Sequence, residues 1–289
     1  MPAARILDEW VEAARSGVGF EAAGEWGDLS GMLVYAAPPQ RGGLFRRAPA
    51  PTAPTVALIA PQAPGLEQAE EAAHVEDALA AGLLRAGVHV ARARSLRLAT
   101  PAEIDPLAWV DAIVHAQHAA TSLVAGARPA LAGAWLAGAA CALAVARREE
   151  LAFVVLAGAP AAEVMSRRTA ENEDDPAWEA SPTLRLVDAL AALQPLQAIT
   201  MQPRPVLLVQ GSCDESLPAA HLESWRSALA AAGRPAEGVE VAFADSFFRM
   251  LEDGGAPDRE SDEGQALLAD AVAEWTARTL SAAAARPPR

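Results

Sequence analysis

The chain has 289 residues, 52% of them hydrophobic and 21% charged, and a formal net charge of -14. That apolar share is ample for a core and excludes disorder as the main state, while the acidic balance argues against nucleic-acid or anionic-membrane partners, whose phosphates need clustered cations. Two cysteines, Cys141 and Cys213, are too few for a disulfide scaffold or a cysteine-based zinc site.

Residues 1–25 carry Asp8, Glu9, Glu12 and Glu21 without a continuous apolar run, so no signal peptide is expected. No stretch reaches transmembrane length free of Arg, Glu or Pro, and the expectation is a soluble cytoplasmic protein without membrane insertion. Ile6, Trp10, Val11 and Ala14 share one side of a helix over 6–15, which makes residues 1–30 an N-terminal helical segment ahead of a domain over 31–289. Met32-Leu33-Val34-Tyr35 predicts a strand. Residues 38–54, rich in Pro and Gly and carrying Arg41, Arg46 and Arg47, predict a solvated connection.

From Thr55 the pattern alternates. Short apolar runs at 56–60, 88–91, 129–134, 152–156, 206–209 and 239–243 predict strands. Helical periodicity covers 67–86, 107–124, 136–148, 216–232 and 265–283. Continuous apolar strands separated by helices predict a mostly parallel, doubly wound α/β sheet covered on both faces. Residues 161–202 break the rhythm with the acidic Glu171-Asn172-Glu173-Asp174-Asp175 and a helix near 184–193, predicting a small helical, cap-like insertion over the sheet's carboxyl edge.

Open α/β sheets hold ligands beyond the carboxyl ends of their strands. The residues there are Pro61-Gln62-Ala63-Pro64-Gly65, then Arg92, Arg94 and Ser95, then Gly133-Ala134-Trp135-Leu136-Ala137-Gly138, then Ser212-Cys213-Asp214, and finally Ala244-Asp245-Ser246-Phe247-Phe248. Their order and spacing resemble the α/β-hydrolase superfamily from about Met32 to Leu280. Gly133 to Gly138 looks like its nucleophile elbow, a sharp strand-to-helix turn needing small residues two before and two after the nucleophile. The strand leading to Asp214 and Pro218 is similar to the one bearing the triad acid, and the turn around Ser246 is similar to the one that presents the histidine.

The resemblance therefore implies a nucleophile position at Trp135, an acid position at Asp214 and a histidine position at Ser246, with Gln62, Ala63, Gly65 and Leu136 about the pocket. An indole offers only an N–H, and a serine hydroxyl does not shuttle protons as imidazole does at neutral pH. No histidine follows His221, although the histidine closes the triad in chain order. The loop at Pro61 to Gly65 lacks the family's glycine-rich oxyanion pattern, and Pro64 has no N–H to give. Ala93-Arg94-Ser95-Leu96 departs from the family's supporting turn.

Trp135 reads either as a plug in a disused cavity or as a wedge that stacks at a pocket mouth. Asp214 reads either as a residual acid or as a carboxylate capping the loop. Cys213 fits a small core residue, Asp245 and Ser246 fit ordinary turn chemistry, and His115 with His118 fit a solvated helix face, since a third metal ligand is missing. Gly126 and Gly133 form no dinucleotide fingerprint, and neither a cofactor nor a metal is implied. The expectation is a hydrolase-like protein with a degenerate triad that binds a small apolar or acyl ligand or acts as an accessory protein. Two alternatives stay open: a non-covalent enzyme using Asp214 or Asp245, and an atypical hydrolase using Ser212 or Ser95.

Overall fold

The structure is a computed structural model and describes residues 16–36, 53–66, 69–147, 150–160, 181–201, 203–214, 220–234, 236–251 and 263–285. The predicted helix over 6–15, most of the 38–54 connection and the acidic run at 171–175 lie outside these residues. Eight strands form one sheet in the order β1-β2-β4-β3-β5-β6-β7-β8. They are β1 (Val18–Gly24), β2 (Gly27–Val34), β3 (Thr55–Ile59), β4 (His89–Leu98), β5 (Arg128–Ala134), β6 (Val154–Ala157), β7 (Val206–Gly211) and β8 (Ala236–Val241). From β4 onward the neighbours run parallel, and β1 and β2 add an antiparallel ribbon at one end.

The central strands are buried on both faces, as their unbroken apolar runs require: every residue of β3, β6 and β7 is buried. Side chains alternate between two cores. Val56, Leu58, Leu131, Val154 and Leu208 join Trp109, Ile113 and Leu136 on one face. Ala57, Ile59, Val155 and Leu207 join Leu79, Leu83, Val272 and Trp275 on the other. Helices α1 (Ala69–Arg85), α2 (Pro106–Ser122), α3 (Trp135–Val145), α4 (Pro182–Ala192), α5 (Pro195–Thr200), α6 (Ala220–Ala231) and α7 (Glu263–Ala284) supply these layers. Local chemistry sets their starts. Asp105 Oδ1 accepts from the N–H groups of Leu107 and Ala108 at 3.1 and 3.2 Å, with Pro106 opening α2. Ser181 Oγ accepts from Leu184 N at 3.4 Å at the start of α4. Helix α3 is apolar on every side and buried from Leu136 through Val145, the expected fate of such a helix.

Four local expectations change. Residues 18–30, assigned to a helical segment, lie in β1 and β2, so a boundary at residue 30 would cut a strand. The cause is a weak alternation: in β1 only Phe20 is buried. Arg92 to Leu96 continue β4 rather than forming a loop, because β2 pairs with them after a bulge at Ser30 and Gly31. Phe243 leaves β8 altogether, with φ +59° and 67% exposure. The described part of the insertion carries α5 in addition to α4; six residues opening on a proline are too short to show a period. No helix among the described residues is long and apolar enough to cross a membrane.

Candidate functional site

Strand β5 turns into α3 within one residue. Ala134 is extended, and Trp135 has φ +49°. A bulky residue in left-handed backbone costs roughly 1–2 kcal/mol and is held only by its surroundings. The clamp is steric: a Cβ on Gly133 would lie 2.7 Å from the carbonyl oxygen of Ala137, so the turn closes only over glycine. The half-buried Trp135 ring stands 5.9 Å from that of Phe247, tilted by 55°. Leu136, expected at the pocket, is fully buried in the core.

The loop after β3 is tied to this turn. Gln62 Nε2 donates to the Ala134 carbonyl and to Glu76 Oε1, both at 3.2 Å, and Trp109 Nε1 donates to the Pro61 carbonyl at 3.1 Å. Burial pushes the Glu76 carboxyl above the usual range, against the opposing pull of Arg92. Arg92 reaches from β4 to Glu76 at 3.1 Å and also to Asp77. Ala63 is 2% exposed in the core, and Gly65 lies open at φ +84°. Of the four expected pocket residues, Gln62 alone is hydrogen-bonded to the elbow.

The ends of β7 and β8 are laced together. Ser212 N donates to Val241 O and Cys213 N to Ala244 O, each at 2.9 Å, and Phe243 N donates to Ser212 Oγ at 2.8 Å. Asp214 closes this loop at 5% exposure. In the next turn Asp245 Oδ1 accepts from the N–H groups of Phe247 and Arg249 at 2.9 Å, and its Oδ2 pairs with Arg249 at 2.6 Å. Asp245 is thereby committed to turn and ion-pair chemistry. Ser246 is half-buried, and its carbonyl would lie 2.9 Å from a Cβ on Gly158 beyond β6. The turn carrying Ser246 thus reaches the elbow through Phe247 and the Asp214 loop through Ala244.

His221 sits on α6 at 3% exposure, where burial pushes its pKa down to about 4. Its Nε2 accepts from Trp225 Nε1 at 3.3 Å, an arrangement that needs the neutral imidazole. The cavity beside it, between the ends of β6 and β7 and α6, measures about 10 Å³, at the lower limit for one water. Ser95 is engaged across the sheet with Ser30 at 2.8 Å, and Ser212 with Phe243 as above. His115 and His118 are exposed, the former against the Trp26 ring at 5.9 Å. No group of three possible metal ligands occurs among the described residues. Reasoning from sequence missed the Phe247 contact and the Gln62 bond to Ala134. Neither has a local signal, because each joins residues far apart in the chain.

No protein-family model matches the chain, and no curated protein matches it in sequence. Solved structures do. Est1E from Butyrivibrio proteoclasticus superposes with a TM-score of 0.62 at 14% identity, over 92% of this chain and 99% of that one. A lidless α/β serine hydrolase from Xanthomonas campestris gives 0.58 at 16% identity, over 94% and 97%. A dienelactone hydrolase from Anabaena variabilis gives 0.55 at 17% identity, over 90% and 96%. At these identities the likeness establishes the architecture alone: the chain has the α/β-hydrolase fold.

Proposed function

We propose that this protein is a hydrolase-like scaffold with a degenerate catalytic triad, and that it binds a small apolar or acyl ligand or serves as an accessory protein. The observation that carries this reading is Trp135 at φ +49°. The strained turn that would lift a nucleophile out of the sheet lifts an indole instead, and an indole has no oxygen or sulfur to attack an acyl carbon. Ser246 holds the histidine position in this reading, and a hydroxyl there returns no proton to a leaving group. The chain's last histidine, His221, is buried on α6 with Nε2 occupied by Trp225, which supports its exclusion as a substitute base. Asp214 keeps the acid position, buried in the loop after β7. Trp135 then acts as a plug, its ring packed on Phe247 where a substrate acyl group would enter.

A second reading, non-covalent catalysis, draws on one feature: Asp214 is a buried carboxylate at the end of a central strand. Asp245 drops out of that reading because Arg249 holds it.

Turnover of p-nitrophenyl acetate and butyrate tests the proposal. The expected rate equals that of buffer, with no burst of nitrophenol; a stoichiometric burst would overturn the proposal. A slow, burst-free rate lost in Asp214→Ala would favour the second reading.

A further inference from the structure

The opposite rim of the sheet, where the parallel strands begin, holds an open cavity of about 420 Å³. Its wall is apolar: Leu151, Val206 and Trp275 are all at least nine-tenths buried, and Leu280 closes it from the last turns of α7. Two arginines line the same space, Arg128 at the first position of β5 and Arg204 just before β7. Both also line an adjoining chamber of about 400 Å³.

The polar balance is uneven. Arg204 Nε is buried and has no hydrogen-bond partner. A guanidinium with a buried, unpartnered nitrogen is a costly charge, and an anion in the adjoining cavity would offset that charge. Of the carboxylates nearby, Glu237 is taken by Arg278 at 2.7 Å, and Glu150 borders only the adjoining chamber. In a chain of net charge -14, two guanidinium groups on one apolar cavity form a local reversal of sign. The backbone is also set in advance. Pro203 and Pro205 flank Arg204 and restrict its torsions, and Pro205 O is pinned to β6 by Val154 N at 3.0 Å.

We propose that this rim is a binding site for a small organic anion: an oxyanion held by Arg204 and Arg128, carried on an apolar body that lies against Trp275 and Val206. The volume is in the range of pockets that bury small ligands. The site is independent of the elbow and would stand if Trp135 proved catalytically irrelevant or if triad chemistry were found.

Fluorescence titration of the full-length protein with anilinonaphthalene sulfonate tests the site, with uncharged N-phenylnaphthylamine as the paired probe. Saturable binding of the sulfonate is expected. Arg204→Gln should weaken it at least tenfold, the usual worth of a hydrogen bond to a charged group, and change the affinity for the amine less than twofold. Ala283→Trp, a change at an exposed position on the cavity wall, should abolish binding of both probes without relying on the arginine. Sulfonate binding unaltered in Arg204→Gln, or unaltered in Ala283→Trp, would overturn the proposal. So would binding lost in Trp135→Ser alone, which would place the probe at the elbow.

Discussion

The two rims of one sheet differ in what fills them. At the carboxyl rim, left-handed backbone at Trp135, Phe243 and Phe248 and closely spaced main chains keep the bends tight. Aromatic rings and an Asp245–Arg249 pair occupy the space between them. At the amino rim a cavity of about 420 Å³ stands open beside a buried guanidinium nitrogen with no partner. Ligands in this architecture are expected at the first rim. Fold geometry and chemical capacity separate: the first rim keeps the bends with the Gln62 amide N–H tied to Ala134 and Asp245 held by Arg249, and the second sets two guanidinium groups on an open apolar cavity.

Backbone closeness at the carboxyl rim is the easiest part to break. A Cβ on Gly211 would lie 2.2 Å from Asp245 O and 2.3 Å from Ala244 O, both main chain. Gly211→Val should cost more than about 3 kcal/mol, read as the shift in urea midpoint.

Next in size is a pH effect. His221 in the folded protein has its pKa lowered from 6.5 to about 4. The unfolded chain therefore takes up a proton that the folded chain refuses, and stability falls as pH drops from about 6.5 to about 4. The loss approaches about 3 kcal/mol at 1.36 kcal/mol per unit. His221→Leu should flatten that slope in urea titrations at several pH values.

A restoring change sharpens the comparison. Trp135→Ser with Ser246→His should raise p-nitrophenyl ester turnover roughly a hundredfold over background if the bends are intact, with each single change remaining at background. Smallest is the backbone term at the elbow: Trp135→Gly should be more stable than Trp135→Ala by about 1 kcal/mol, measured by thermal unfolding, because only alanine keeps the left-handed penalty.

Much of the fold is legible because buried parallel strands are unbroken apolar runs: 129–134 and 206–209 fall inside β5 and β7. The antiparallel ribbon is not legible, since β1 buries only Phe20 and β4 carries three arginines through its exposed half. The elbow is legible in Gly133 and Ala137, which are small for a steric reason acting within one turn. Its surroundings are not. That Leu136 and Ala63 belong to the core, and that Phe247 meets Trp135, depends on how three separate strand ends converge. The amino-rim cavity is equally hidden, because Arg128, Arg204 and Trp275 meet only in the folded chain.

The most direct measurement is the intact mass of the purified protein after incubation with a fluorophosphonate. The account predicts an unchanged mass at reagent excess, since the elbow carries an indole and His221 Nε2 accepts from Trp225. A single stoichiometric adduct on any serine would contradict it.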